Sequence, residues 1–452
     1  MEDNRQRRVL MVPAPFQGHL PSMMNLASCL SSQGFSITIV RTKFNFKDIS
    51  ANFPNFKFFT IDDGLSESDV KSLGLLEFVL ELNSVCEPLL KEFLTNHYDV
   101  VDFIIYDEFV YFPRRVAEDL NLPKMVFSPS SAATSISRCV LIENQANGLL
   151  PPQEARAELE EMVPAFHPFR FKDLPFTAYG SMERLVILYE NVSNRSPSSG
   201  IIHNSSNCLE NSFILTAQEK WGIPVYPVGP LHMTNSATSC PSLFEEERNC
   251  LEWLEKQETN SVIYISMGSL AMTQDIEAVE MAMGFVQSNQ PFLWVIRPGS
   301  ITGQESLDFL PEQFMQTVTD GRGFVVKWAP QKEVLRHRAV GGFWNHCGWN
   351  SCLESISSGV PMICRPYSGD QRVNTRLMSH VWQTAFEIEG ELERGAVEMA
   401  VRRLIVDQEG EEMRVRATIL KEEVEASVTT EGSSHNSLND LVQAIMMQID
   451  QQ

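Results

Sequence analysis

Short apolar runs alternate with segments of helical periodicity along almost the whole chain. VLMVPA (9–14), SITIV (36–40), FKFFTI (56–61), VDFIIYD (101–107) and KMVFSP (124–129) are apolar at neighbouring positions, not at every second one. Strands of this kind are buried on both faces, as in a parallel sheet covered by helices. Between them, PSMMNLASCLSSQG opens on Pro21 and closes on Gly34, the places a helix favours for these residues, and 72–95 and 111–121 also read as helical. GIIHN (200–204) and VYPVGP (225–230) complete a first set. A stretch rich in Ser, Thr, Asn and Pro (233–242) then reads as a linker. The alternation restarts with SVIYISMGS (261–269), FLWVIRP (292–298), FVVKWAP (324–330), GGFWNH (341–346) and PMICRP (361–366), and the last hundred residues read as mostly helical and charged. The pattern predicts an α/β protein with two Rossmann-like, doubly wound parallel-sheet domains facing a cleft. Their expected extents are 1–232 and 251–452, joined by a linker over 233–250, with the last helix able to return to the first domain.

Composition narrows the partners. The 452 residues carry a net charge of -22, which argues against nucleic acid or an anionic membrane surface. An anionic substrate is repelled at long range, so local dipoles and hydrogen bonds must hold it. No segment approaches the roughly 20 apolar residues of a membrane span. The opening MEDNRQRRVLMVPAPF places basic residues before an apolar run that is too short for a signal-peptide core and is broken by Pro13 and Pro15. Nine cysteines with no CxxC suit reduced thiols and a cytoplasmic location, which leaves the sequons at Asn191 and Asn204 without weight. A G-x-G-x-x-G fingerprint and a P-loop, the marks of dinucleotide and P-loop enzymes, are both missing from the sequence.

Candidate chemistry is concentrated between Trp328 and Gln371, WAPQKEVLRHRAVGGFWNHCGWNSCLESISSGVPMICRPYSGDQ. Trp328 ends a strand, where it can stack on a base; the Ala329 backbone can read the base edge, and Gln331 can reach a ribose. His346 ends the next strand, Gly348 permits a tight turn and close approach, and Asn350 and Ser351 open a helix whose N–H groups suit a diphosphate. Glu354, one turn in, can accept from ribose hydroxyls. Asp370 and Gln371 can bind sugar hydroxyls. Outside this window, His19 lies in the loop after the first strand and Asp107 ends VDFIIYD. A carboxylate on one imidazole nitrogen fixes the tautomer and frees the other nitrogen to take a proton.

The window resembles, almost without gaps, the signature box of the plant family 1 UDP-dependent glycosyltransferases that act on small molecules. The resemblance implies the GT-B fold and donor-site roles for Trp328, Ala329, Pro330, Gln331, His346, Cys347, Gly348, Trp349, Asn350, Ser351, Glu354, Ser368, Gly369, Asp370 and Gln371. It adds Ser269 as a diphosphate contact, Trp349 as a sugar contact and the final Gln371 as the mark of glucose. It implies His19 as base and Asp107 as its orienting acid. The expected function is an inverting glucosyltransferase that moves glucose from UDP-glucose to a hydroxyl or carboxyl of a small lipophilic or phenolic acceptor such as a flavonoid, hydroxybenzoate or hormone. The alternatives are another UDP-sugar, or a sugar-nucleotide-binding protein without turnover. No cofactor or metal is expected, since the sequence has no D-x-D. The protein is expected to be a monomer without nucleic-acid or membrane partners. Cys352 and Trp344-Asn345 depart from the commonest form of the box. Cys347 and Cys352, near a helix N-terminus, are expected to be structural. The acceptor pocket is expected from loops around Phe16, 109–112, 130–144 and 176–188.

Overall fold

The computed structural model describes residues 7–44, 48–97, 101–152, 155–177, 180–234, 242, 244–269, 272–304 and 306–451. Residues 235–241 and 243 of the expected linker lie outside the described residues. The chain divides into two compact units. The first holds residues 1–159, 174–243 and 426–452, and the second holds 160–173 and 244–425. A single cut at the linker therefore misses one excursion: residues 160–173 pack with the second unit, where Arg170 and Arg376 both pair with Asp173.

In the first unit, seven parallel strands lie in the order β3-β2-β1-β4-β5-β6-β7. They are β1 (Arg8–Val12), β2 (Ser36–Thr42), β3 (Lys57–Ile61), β4 (Phe103–Asp107), β5 (Lys124–Ser128), β6 (Ile201–His203) and β7 (Val225–Pro227). All five residues of β4 and of β5 are buried, the consequence of helices on both faces. The segment around 72–95 is two helices, Glu67–Leu73 and Leu75–Asn96, broken at Gly74, whose φ of 81° a side chain would disfavour. The C-terminal helix Ser433–Asp450 belongs to this unit and lays Leu438, Leu441, Val442 and Ile445 into the core that holds Val9, Ile37 and Phe103.

The second unit repeats the plan with six strands in the order β10-β9-β8-β11-β12-β13. They are β8 (Val262–Ser266), β9 (Phe292–Val295), β10 (Gly323–Val326), β11 (Val340–Asn345), β12 (Met362–Cys364) and β13 (Ala385–Glu387). β13 is a short strand within the mostly helical tail that the sequence does not announce. Three residues ending on a carboxylate give no periodicity to read, and pairing with β12 is what makes them a strand. Among the described residues no helix is long and apolar enough to cross a membrane.

Candidate active site

β1 and β4 are neighbours, with Val12 opposite Tyr106, so the loops leaving their carboxyl ends meet. The first carries His19, which caps the helix Leu20–Ser32, and the second begins at Asp107. His19 Nδ1 lies 2.9 Å from Asp107 Oδ2, with the carboxylate fully buried and the imidazole one-fifth exposed. The Phe109 backbone N–H donates to the other oxygen, Asp107 Oδ1, at 3.0 Å. Phe16 and Phe109 set their rings edge-on to the imidazole, at centroid distances of 5.9 and 5.2 Å. A buried acid so placed fixes the imidazole's orientation and tautomer.

Beneath the pair is an ion cluster that the sequence did not suggest. Glu108, next to Asp107, accepts from Arg138 and Ser130 on one oxygen and from Arg195 on the other, all buried. Burial alone would raise its carboxyl, but the two guanidinium groups overcome this and hold it well below the usual range. Arg138 also lies over the Phe109 ring at 5.0 Å. The neighbouring His203 is pushed down to about 4 by burial. Of the segments expected to shape an acceptor pocket, Phe16 and Phe109 reach His19 with their rings. Phe112, Ile136, Phe176 and Leu185 are buried in the unit's interior, and residues 178 and 179 lie outside the described residues.

In the second unit the expected donor residues gather at the carboxyl ends of β8, β10, β11 and β12. β8 and β11 pair with Ser266 opposite Asn345, which brings the Gly268–Ser269 turn beside His346. The Asn345 side chain ties the two strand ends together, donating to Ser266 O at 2.6 Å and accepting from Cys347 N at 2.7 Å. His346 is then clamped between two glycines. A Cβ on Gly268 would collide with its Cε1, and one on Gly348 would come within 2.8 Å of its Nε2. No side chain fits either position without moving the ring. Burial pushes the His346 imidazole down to about 4, so at neutral pH it acts as a hydrogen-bonding group and carries no charge.

The helix after His346 starts at Trp349 with Gly348 as its cap, one residue earlier than its Asn-Ser pair suggested. Asn350 and Ser351 thus lie in its first turn, among the N–H groups that have no partner within the helix. Ser351, Glu354 and Gln331 form one network: Gln331 Nε2 donates to Ser351 Oγ at 3.0 Å and to Glu354 Oε2 at 2.7 Å, and Tyr264 donates to Gln331 Oε1 at 3.3 Å. Burial raises the Glu354 carboxyl. Cys347, at φ 65°, turns its thiol inward beside Cys352 and Cys364, and all three are buried and free.

Asp370 and Gln371 open the helix Asp370–Arg376 behind Gly369, whose φ is 62°. Asn374 links this turn to the previous one by donating to both Cys347 O and Asp370 Oδ2 at 3.0 Å. Gln371 Oε1 accepts from the N–H groups of Tyr367 and Ser368, which turns its NH2 away from that loop. Trp349 packs near Trp382, Ala329 and Pro330 are buried, and Trp328 is half-buried at the end of β10. Sequence reasoning missed Gly268, whose only signal is the Met-Gly-Ser turn before Ser269, and Phe244 and Glu247, which touch Trp328. Among the described residues, no group of three or more His, Cys, Asp or Glu side chains is placed to hold a metal ion.

Residues 225–422 match the family described as UDP-glucoronosyl and UDP-glucosyl transferase. Over its full length the chain is 92% identical to all of UDP-glycosyltransferase 76D1 of Arabidopsis thaliana. It is 50% identical to the Arabidopsis flavonol 3-O-glucosyltransferase UGT76E12, with 98% of each chain covered. A solved UDP-glucosyltransferase of Polygonum tinctorium, capable of glucosylating indoxyl, superposes with a TM-score of 0.83 at 26% identity, over 98% of this chain and 99% of that one. Two parallel α/β sheets, a clamped His346 loop and identity of this extent lead to one assignment: the chain is a GT-B enzyme and belongs to the plant family 1 UDP-glycosyltransferases.

Proposed function

We propose that the enzyme is an inverting glucosyltransferase that uses UDP-glucose and a small lipophilic or phenolic acceptor, joined through a hydroxyl or carboxyl. The observation that carries this is the 2.9 Å bond from His19 Nδ1 to the buried Asp107. With Asp107 accepting at Nδ1, the neutral ring keeps its proton there and offers Nε2 as base. Nε2 takes the acceptor's proton as its oxygen attacks the anomeric carbon. The glycosidic oxygen leaves with UDP, and attack from the opposite face turns an α-linked donor into a β-glucoside. Asp107 stabilises the imidazolium that forms.

The leaving diphosphate is held by the first-turn N–H groups at Asn350 and Ser351, by the neutral His346 and by Ser269. Trp328 stacks on uracil, Glu354 and Gln331 exchange their mutual hydrogen bond for the ribose, and Asp370 and Gln371 hold the sugar. No metal is required in this scheme. Glucose is supported by Gln371 at the end of the box and by the names of the relatives at 50% and 26% identity. The first of these also brings a flavonol into the acceptor class, beside hydroxybenzoates and hormones. The aromatic setting of His19 supports a planar, apolar acceptor. A panel of aglycones incubated with UDP-glucose and read by mass spectrometry tests this. Glucosides of planar phenols are the expected products, and preferential use of UDP-galactose or UDP-glucuronic acid would refute the glucose assignment.

A further inference from the structure

Trp328 is not a bare ring at a strand end. Phe244 lies against it at a centroid distance of 4.5 Å and an interplanar angle of 38°. Three residues on, Glu247 grips the same strand end through its main chain and its side chain. Its N–H donates to Trp328 O at 2.8 Å, and its Oε1 accepts from Lys327 N at 2.9 Å. Arg248 then pairs with Glu333 on the helix that Pro330 caps. The segment 244–248 thus touches the tryptophan's ring, its carbonyl, the preceding amide and the following helix.

An open pocket of about 310 Å³ borders the same strand end, lined by Val326, Lys327 and Glu247 together with Ile296, Arg297 and Leu307. Trp328 itself is half-buried, so without a neighbour against its face the ring is free to change rotamer. Stacking on a base depends on the ring's plane, so a tryptophan held in one orientation binds without losing that freedom again.

We propose that Phe244 and Glu247 are positioning residues for the nucleotide: Phe244 backs one face of Trp328, leaving the other for the base, and Glu247 fixes the backbone that carries it. The proposal rests on the stacking role assigned to Trp328. Neither residue is placed in the sugar or proton-transfer chemistry, so the effect should fall on nucleotide affinity and on KM for UDP-glucose, with kcat retained.

Calorimetric titration with UDP, alongside steady-state kinetics and thermal melting, tests this on the full chain. Phe244→Ala should weaken UDP about 3- to 10-fold, the range an aromatic pair contributes, and Glu247→Ala by a similar factor. Phe244→Tyr keeps the ring and Glu247→Gln keeps the acceptor oxygen, so both should bind UDP like the parent enzyme. In a Trp328→Ala background Phe244→Ala should have no further effect. If Trp328→Ala weakens UDP while Phe244→Ala leaves it unchanged or tightens it, the proposal is overturned, and tightening would mean that Phe244 occupies the face the base requires. If Trp328→Ala itself leaves UDP binding intact, the stacking role is wrong and the bracing role is overturned with it.

Discussion

The two halves of this enzyme build their sites by opposite means. In the first unit a single polar pair, His19 and Asp107, is set among aromatic rings above a closed ion cluster of Glu108, Arg138 and Arg195. In the second, polar groups hold each other in chains: Asn345 to Cys347, Cys347 to Asn374 and Asn374 to Asp370 in one, Gln331 to Ser351 and Glu354 in another. On the proposed roles, the first arrangement concentrates function in two residues and leaves the rest to shape. The second spreads it over many hydrogen bonds, each replaceable at moderate cost. A site that moves a proton needs one base of defined tautomer, while a site that binds a dianionic diphosphate on a protein of net charge -22 needs many donors.

The largest test of that contrast is loss of the pair. His19→Ala should abolish transfer and leave UDP affinity unchanged, because the proposed base and the proposed nucleotide-binding residues are in different units. Asp107→Ala should slow transfer on the order of 10²-fold or more, through loss of the tautomer it enforces. Calorimetry with UDP and single-turnover assays read the two effects separately. Near-normal transfer by His19→Ala with a weakly acidic acceptor would remove it as the base. An acidic phenol ionises unaided and should lose less.

The same contrast explains what the sequence disclosed. Twelve of the strands follow from apolar runs, because parallel strands are apolar on both faces; β13, with three residues, leaves no such trace. The proposed donor residues were legible because one stretch of chain, Trp328 to Gln371, crosses the ends of three strands consecutive in sequence, β10, β11 and β12. His19 and Asp107, 88 positions apart, were legible from their places after strand ends together with the family resemblance. Arg138, Arg195 and Glu108 were not, since a buried ion cluster is made by packing of a strand end, a helix and a loop, and each residue alone reads as surface charge. Phe244 was hidden for the same reason: its ring contact with Trp328 spans 84 positions of sequence separation.

A smaller effect separates the parts of the donor site. Trp328→Ala should weaken UDP and UDP-glucose alike by roughly 1–3 kcal/mol, the worth of an aromatic ring on a nucleobase. Gln371→Ala should spare UDP and cost about 1–3 kcal/mol in kcat/KM for UDP-glucose. Equal weakening of free UDP by both variants would show that the end of the box does not face the sugar. Gln371 also closes the Tyr367–Ser368 turn, so Gln371→Glu, which retains an accepting oxygen, distinguishes loss of the turn from loss of the sugar contact.

Each unit also holds a histidine whose pKa is lowered by its surroundings, His203 fully buried and His346 half-buried, and pH should tell their roles apart. His203 and His346 are both held at about 4 by burial, below the value near 6.5 of the unfolded chain. Between those limits the unfolded state binds more protons than the folded one. Stability is therefore fully present above about pH 6.5 and is lost as the pH falls toward 4, at up to about 1.4 kcal/mol per pH unit for each group. His203→Gln should flatten the fall in melting temperature over that range without altering UDP affinity. His346→Gln should flatten it too but weaken UDP. If both variants left UDP affinity alone, His346 would be a structural histidine like His203.

Chelation should have the smallest effect of all, namely none. The charge that develops on the leaving diphosphate needs stabilisation, and a divalent cation is one way to supply it. Here a helix of ten residues begins at Trp349 with its first-turn N–H groups beside Ser351 and His346, and its positive end supplies part of what a cation would. In the proposed scheme His346 adds a neutral donor, and the two glycines that clamp its ring keep it in place without reorganisation. With donors fixed in advance, transfer should run at the same rate in EDTA as in buffer, and added magnesium or manganese should not raise it. A rate that collapses in EDTA and returns with either ion would show that the helix terminus does not suffice, and that the second unit binds its donor through charge as well as through its hydrogen-bond chains.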